Sequence, residues 1–135
     1  MGHRHIQPEG LPDSSSFGYS QVVEAAPGRT LYLAGQGAFD ENMQIVGKDD
    51  VGAQTEQALR NVGLALAGAG AEPAHLVSLR IYVVGYGPEH LGPVGAALSA
   101  FLGDSPPPAQ TLIGVQALGL PEMRVEIEAT AVVPS

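Results

Sequence analysis

The sequence contains no cysteine and no tryptophan, and only 15% of its residues are charged. Without cysteine, the chain has no disulfide, no thiolate nucleophile and no zinc-finger ligand set. It has no run of about 18 apolar residues, and its first residues, Met1-Gly2-His3-Arg4-His5, do not lead into an apolar segment. The sequence therefore predicts neither a membrane span nor a leader peptide, and we expect a cytoplasmic protein.

Basic residues are scarce. Six Lys and Arg stand against 14 Asp and Glu, which gives a formal net charge of −8. Proteins that bind DNA or RNA neutralise the phosphates of the backbone with Lys and Arg. The charge balance therefore argues against nucleic acid as a partner.

The low charge also bears on assembly, because 44% of the residues are hydrophobic and little polar material remains to cover the surface. A free-standing monomer normally carries more charged residues than this. Part of the surface is therefore predicted to be buried against other subunits. The length of 135 residues suits one domain, 1–135, with an irregular lead-in over about 1–17 that is rich in Pro, Gly and Ser.

Hydrophobic periodicity predicts two helices among several strands. The first helix follows Asp49 and Asp50, which are suitable N-caps, and ends near Gly68; the second begins at Gly87-Pro88 and ends at Gly103. The predicted strands span residues 18–26, 30–39, 76–84, 111–117 and 124–133, with a short one at 43–46.

This order predicts an α+β fold with one mixed sheet and both helices on one face. In the last strand, Val125, Ile127 and Ala129 would face the helices, whereas Glu126, Glu128 and Thr130 would lie on the other face. A half-polar sheet face in a chain so poor in charge is best covered by other subunits around an axis.

Familiar catalytic motifs are absent: the sequence has no H-E-x-x-H, no Walker P-loop, no G-x-S-x-G and no dinucleotide-binding glycine pattern. None of the standard motifs therefore indicates a cofactor. His3 and His5 form a His-x-His pair, but such a pair at a mobile terminus is usually inert, and no metal site is predicted.

Three charged residues are candidates for chemistry. Glu126 and Glu128 share a strand face, and partial burial would raise the pKa of at least one, which would suit it to orient or deprotonate a water. Arg80 is a cation in an otherwise apolar strand. Arg80 could grip a ligand carboxylate or form a structural ion pair with a glutamate. The two glutamates could likewise be solvated, or paired with Arg80 or Arg124 on the same sheet.

Several segments, in order along the chain, resemble the Rid family, also called YjgF-like or endoribonuclease L-PSP. They are Gly18-Tyr19-Ser20-Gln21, Leu31-Tyr32-Leu33-Ala34-Gly35-Gln36, Gln54 with Gln57-Ala58-Leu59-Arg60-Asn61-Val62, Pro107-Pro108-Ala109, and Val125-Glu126-Ile127-Glu128-Ala129-Thr130. The match runs from about residue 6 to residue 133, and all of these segments together are specific for the family.

The resemblance implies a chorismate-mutase-like subunit in a homotrimer with a barrel-like centre and three clefts between subunits. Archetypal members hydrolyse 2-imino or enamine acids to 2-keto acids and ammonia without a cofactor. In them an arginine after the Pro-Ala of the fifth strand grips the substrate carboxylate, but this chain has Gln110 there. Gly95 and Leu98 also replace an asparagine and an aromatic residue. The chain therefore resembles a branch that lacks the arginine.

Carried over from the family, Glu128 is the residue predicted to orient water, while Tyr19, Gly35 and Gln110 hold the ligand and Arg80 is a further candidate. The leading hypothesis is a deaminase-like hydrolase of a small polar or carboxylated metabolite, with weak or absent activity on archetypal imino acids. A trimer that binds a metabolite without catalysis is the alternative, and ribonuclease activity is a third hypothesis that the acidic charge disfavours.

Overall fold

The computed structural model describes residues 2–135. The strands are β1 (Arg4–Ile6), β2 (Val22–Glu24), β3 (Gly28–Gly37), β4 (Leu76–Val84), β5 (Ala109–Val115) and β6 (Val125–Pro134). The helices are α1 (Val51–Gly68) and α2 (Leu91–Leu102), with short 3-10 turns at Ser15–Phe17, Pro73–His75 and Pro88–His90. Neither α-helix of the described residues combines the length and the apolarity that crossing a membrane would need.

Four strands form one mixed sheet in the order β3-β6-β4-β5. The central strand β6 is antiparallel to both neighbours, whereas β4 and β5 are parallel because α2 carries the chain back between them. Apolar residues of α1, α2 and the inner face of the sheet form one core cluster. The predicted α+β fold, with both helices packed on the sheet, is confirmed.

Alternation along β6 sets the two faces of the sheet. Val125, Ile127 and Ala129 are buried in the core, as predicted, and Glu126 and Glu128 between them are only partly buried. In α2 the core face is Val94, Ala97, Leu98 and Leu102, and Leu91 is 55% exposed. Leu91, at the first position of the helix, therefore lies outside the core and is free to line a surface cleft.

The start of α1 is defined by one cap. The Asp50 carboxylate accepts a hydrogen bond from the Ala53 backbone N–H at 3.0 Å, as predicted for an N-cap. Asp49 does not cap the helix: it has a φ of 58° and pairs with Arg124 at 3.3 Å. The helix ends at Gly68, also as predicted.

The predicted strand at 18–26 is reduced to Val22–Glu24, because the residues before it are held by a different part of the chain. The Ser20 hydroxyl donates to the carbonyl of Pro107 at 2.6 Å, and the Ser20 N–H donates to that of Pro108 at 3.0 Å. The Ser14 hydroxyl donates to the Tyr19 carbonyl at 2.6 Å. These bonds fix Tyr19 beside the start of β5.

The segment from His3 to Ile6 is also held against the rest of the fold. β1 pairs antiparallel with β2, and the His3 ring donates through Nε2 to the Val132 carbonyl at 2.9 Å and accepts through Nδ1 from the Ala26 N–H at 3.0 Å. Both ring nitrogens of His3 therefore hold the backbone in place, and His3 has a structural role in the fold.

The predicted short strand at 43–46 is a turn with a single bridge between Phe39 and Ile45. The Asp40 carboxylate accepts hydrogen bonds from the N–H groups of Asn42 and Gln44 at 2.8 and 2.9 Å. This local side-chain bonding replaces the ladder that a strand would need.

Candidate functional site

A cleft of about 630 Å³ lies between the start of β5 and the first half of α2, and we call it the Gln110 cleft. It is lined by Phe17, Tyr19, Leu91, Gly92, Gly95, Gln110, Thr111 and Leu112. A smaller cavity of about 190 Å³ adjoins it and shares Phe17 and Gly95 with it. Together they offer room for a small molecule with an apolar extension.

Two helix glycines keep this cleft open. A Cβ built at Gly92 or at Gly95 would meet no atom within 4 Å, so the space beside both positions is empty. Gly95 stands where the resemblance places an asparagine, so the change from asparagine to glycine removes a polar group and widens the cleft.

The lining of the Gln110 cleft carries almost no charge. Tyr19 is the one ionisable side chain among its lining residues, all of which lie in the described part of the chain. Gln110 is partly buried, and its Oε1 is buried with no hydrogen-bond partner among residues 2–135. A buried acceptor without a partner is rare and costs free energy, so rotation of the Gln110 amide that brings Oε1 to a ligand donor would be favourable.

A second cleft of about 690 Å³ lies beside the end of β3, and we call it the Glu126 cleft. It is lined by residues 35–37 of β3, residues 39–41 and Met43 of the following loop, Asn61, Leu64 and Ala65 of α1, and Met123 and Glu126. Three carboxylates, those of Asp40, Glu41 and Glu126, line it, and its lining residues include neither lysine nor arginine.

A β-bulge shapes the wall of the Glu126 cleft. The register between β3 and β6 shifts between Leu33 and Gln36, so Ala34 and Gly35 together lie opposite Glu128. A Cβ at Gly35 would lie 2.8 Å from Cδ and Oε2 of Glu126. The absence of a side chain at Gly35 therefore leaves the space that the Glu126 carboxylate occupies.

Amide side chains of α1 hold the segments around this cleft. The Asn61 side chain donates to the carbonyls of Gly37 and Phe39 at 2.9 and 2.8 Å. Gln54 is fully buried; its Nε2 donates to the Gly47 and Glu122 carbonyls, and its Oε1 accepts from the N–H groups of Arg124 and Val125. Both ends of Gln54 are thus used to fix the entry into β6, the strand that carries Glu126.

The third group of predicted residues lies on the helix-free face of the sheet. Arg80 and Glu128 are register partners and form an ion pair at 3.4 Å, and the Tyr82 hydroxyl donates a short hydrogen bond to the same Glu128 oxygen. That bond, with Arg80 as the smaller contributor, holds the pKa of Glu128 below its ordinary value, and the bond to Glu128 raises the pKa of Tyr82. Because the folded state binds the Glu128 proton less tightly, this cluster stabilises the fold above pH 4.5 and contributes less as the pH falls below it.

The structure thus distributes the predicted site residues over three places. Tyr19 and Gln110 line one cleft together, and Gly35 lines the other with Glu126. Arg80 and Glu128 line neither cleft and are paired with each other. Of the two roles open to Arg80, the geometry supports the structural ion pair, and the carboxylate beside a cleft is that of Glu126.

Gln110 and Glu126 also lie on different faces of the sheet. Gln110 is the register partner of Leu79, which is buried toward the helices, whereas Glu126 is the partner of Tyr82 on the helix-free face. Directly opposed residues share a face. Within one subunit, the two clefts are therefore separate.

Sequence reasoning missed Leu91 and Gly92 as lining residues of the Gln110 cleft, and it could not place the Phe17 segment there from local pattern. The hydrogen bonds that bring the segment before β2 to Pro107 and Pro108 span almost 90 residues of sequence, and no local pattern predicts them. For Leu91 a signal existed: the Gly-Pro that follows it is a poor continuation of a buried helical stripe.

Residues 2–135 contain no group of three or more His, Asp or Glu placed to hold a metal ion. Both ring nitrogens of His3 are engaged in hydrogen bonds with the backbone of Val132 and Ala26. The pKa of His5 is lowered, mainly because the ring is partly buried and to a smaller extent because His3 is close to it.

Comparison with known proteins places the chain in a family. Residues 12–133 match the family model described as endoribonuclease L-PSP. The Rid family protein YyfB from Yersinia pestis, whose function is described as unknown, is 47% identical, with a TM-score of 0.95 over 98% of this chain and 100% of that one. A member of the YjgF/YER057c/UK114 family from Mycobacterium tuberculosis is 32% identical, with a TM-score of 0.63 over 98% of this chain and all of that one.

A curated relative, protein DfrA from Myxococcus xanthus, is 31% identical over 115 residues, which cover 84% of each chain. The chain belongs to the Rid (YjgF-like) family, the family also described as endoribonuclease L-PSP. The fold described above is the fold of that family, and the resemblance drawn from the sequence is confirmed.

Proposed function

We propose that the chain forms a homotrimer in which the Gln110 cleft of one subunit and the Glu126 cleft of its neighbour close into one site. The position of the two clefts on opposite faces of one sheet supports this arrangement, because within one subunit Tyr19 and Gln110 have no carboxylate beside them. The family resemblance supports it as well, since it implies clefts between subunits.

The proposed activity is the cofactor-free hydrolysis of a small imine or enamine. Water adds to the carbon of the C=N bond, that bond breaks, and the nitrogen leaves as ammonia while the carbon becomes a carbonyl. A carboxylate beside the bound imine orients the attacking water and accepts its proton. Glu126 suits this role better than Glu128, because Glu128 is already engaged by Tyr82 and Arg80.

The unassembled subunit leaves surface that a trimer would cover. Tyr32 is 83% exposed on the helix-free face, and β3 and β5 are the two edges of the sheet. An exposed aromatic side chain and unpaired sheet edges are features that native proteins usually cover.

In solution, we expect light scattering at micromolar concentration to report three times the 13.9 kDa mass of one chain. Obligate interfaces are large, and dilution to this range should not dissociate them. Tyr32→Lys, which places a charge on the helix-free face, should shift the mass towards that of a single chain, whereas Lys48→Ala on an exposed loop should not. A monomeric wild-type protein would contradict both the trimer and the shared site.

Activity is tested by the release of ammonia from 2-iminobutyrate generated in situ by an amino acid oxidase. We expect the wild-type protein to hydrolyse the imine slowly but faster than the uncatalysed reaction. Glu126→Gln should lower this catalysed rate by about 10² or more, the usual contribution of a positioned acid or base. Glu128→Gln is the matched control, two residues along the same strand, and should retain the activity. If Glu128→Gln abolishes the activity and Glu126→Gln retains it, the assignment is reversed.

Metabolite binding without catalysis is the second candidate function. It is favoured by one observation, that Tyr19 is the only ionisable residue lining the Gln110 cleft. Two results together would support this function. The wild-type protein would hydrolyse the imine no faster than the uncatalysed reaction, and small ligands would raise its thermal stability. RNA cleavage is disfavoured by a net charge of −8, since binding of RNA depends on neutralised phosphates.

A further inference from the structure

The Gln110 cleft has a polar group without a partner and no charge to offer an anion. The Oε1 atom of Gln110 is buried and accepts no hydrogen bond from residues 2–135. The other polar side chains of the lining are the hydroxyls of Tyr19 and Thr111, and the rest of the lining is apolar or glycine. A ligand that enters this cleft leaves water and must replace the hydrogen bonds that it loses.

A carboxylate does not fit these conditions. The one exposed arginine of the neighbouring strand, Arg80, is the register partner of Thr111 but is already paired with Glu128 at 3.4 Å. A carboxylate near Gln110 could accept a neutral hydrogen bond from Nε2, but it would leave Oε1 without a donor and its own charge without a cation. The net charge of −8 adds a general repulsion of anions.

A carboxamide does fit them. Primary amides and lactams carry a donor and an acceptor on one edge, and the glutamine side chain carries the same pair in the opposite order. The two can form paired hydrogen bonds, as glutamine does with the edge of adenine. Once the Gln110 amide has turned towards the cleft, such a ligand would satisfy both Oε1 and Nε2 without bringing a charge into an apolar cleft.

We propose that the Gln110 cleft binds a small neutral molecule with a primary amide or lactam end and an apolar body, rather than a carboxylate. This inference rests on the proposed function, because it names the class of compound taken by the same site. The apolar body would lie along Leu91 and Leu112, and the adjoining cavity of about 190 Å³ beyond Gly95 would receive its extension.

The test uses three probes of one shape, benzamide, benzoate and benzylamine, and measures their affinities for the intact protein by calorimetry or ligand-observed NMR. We expect benzamide to bind at least about tenfold more tightly than benzoate, the ratio expected when one net hydrogen bond is gained. Gln110→Arg should reverse this preference, because the guanidinium pairs with a carboxylate through two bonds. Gln110→Leu should abolish the preference, and Gly95→Leu should weaken the binding of benzamide by filling the cleft.

Three other results would overturn the inference, and they distinguish a wrong ligand class from a wrong binding site. If wild type binds benzoate as well as benzamide, or if the preference for benzamide survives in Gln110→Leu, the proposed ligand class is wrong while the cleft remains the binding site. If benzylamine binds most tightly, the site selects cations and the inference is likewise wrong. If none of the probes binds to wild type or to Gln110→Arg, the cleft is not a ligand site, and the proposed function fails as well.

Discussion

Gln110→Arg should hydrolyse 2-iminobutyrate about ten to a hundred times faster than the wild-type protein. A hydrogen bond to a charged group contributes about 1.5–3 kcal/mol, against about 0.5–1.5 kcal/mol for a neutral one, and each 1.4 kcal/mol corresponds to a tenfold change in rate. The Gln110 cleft has the room for the longer side chain, and its lining holds no competing carboxylate among the described residues. The measurement is kcat/KM for ammonia release.

Two variants make this comparison specific. Gln110→Lys supplies a charge without the planar fork of donors and should gain less than Gln110→Arg. Arg80→Ala should leave the wild-type rate unchanged, because Arg80 lines neither cleft and is paired with Glu128. A wild-type rate that is already high and falls in Arg80→Ala would show that Arg80, not position 110, governs the binding of carboxylates.

Gln54→Ala should destabilise the protein by about 3–5 kcal/mol, as expected when a buried hydrogen-bonded network is broken. Gln54 is fully buried and bonds four backbone groups, the carbonyls of Gly47 and Glu122 and the N–H groups of Arg124 and Val125. Truncation leaves these groups without partners in the interior. The measurement is the free energy of unfolding from urea denaturation, checked for an unchanged m-value.

Gln44→Ala is the matched control, because Gln44 is exposed on the loop after Asp40, and this change should cost less than about 0.5 kcal/mol. Gln54→Glu keeps the shape but loses the donor and buries a charge, and it should be at least as destabilising as Gln54→Ala. Equal stabilities of wild type and Gln54→Ala would mean that water replaces the lost bonds and that the network is not a structural anchor.

The fold could be predicted from the sequence wherever local pattern and tertiary packing agree. Asp50 caps α1, Gly68 ends it, and the alternation of β6 assigns Val125 and Ile127 to the core. The N-terminal part could not be predicted, because its contacts are distant in sequence. His3 bonds to Val132 and Ser20 bonds to Pro107, and each of these pairs is invisible to a window of ten or twenty residues.

The candidate site could be predicted only in part. The family pattern pointed to both Tyr19 and Gln110, and these two residues line one cleft of the subunit. Their role in holding a ligand stays a prediction. The choice between Glu126 and Glu128 depends on the bulge at Ala34–Gly35 and on the register of β4, which pairs Arg80 with Glu128. Glu126 and Glu128 both alternate with buried residues of β6 and point to the same face of the sheet. The sequence alone therefore could not show which of the two lies beside a cleft.

The glycines of α2 place a limit on how stable this helix can be. Gly in a helix interior costs about 0.5–1 kcal/mol relative to alanine, and at Gly95 nothing in the subunit prevents a larger residue. A side chain at this position would strengthen the helix and at the same time occupy the space between the two adjoining cavities. Stabilising changes in α2 and access to the cleft are therefore in opposition, as in other proteins that give up stability at a functional site.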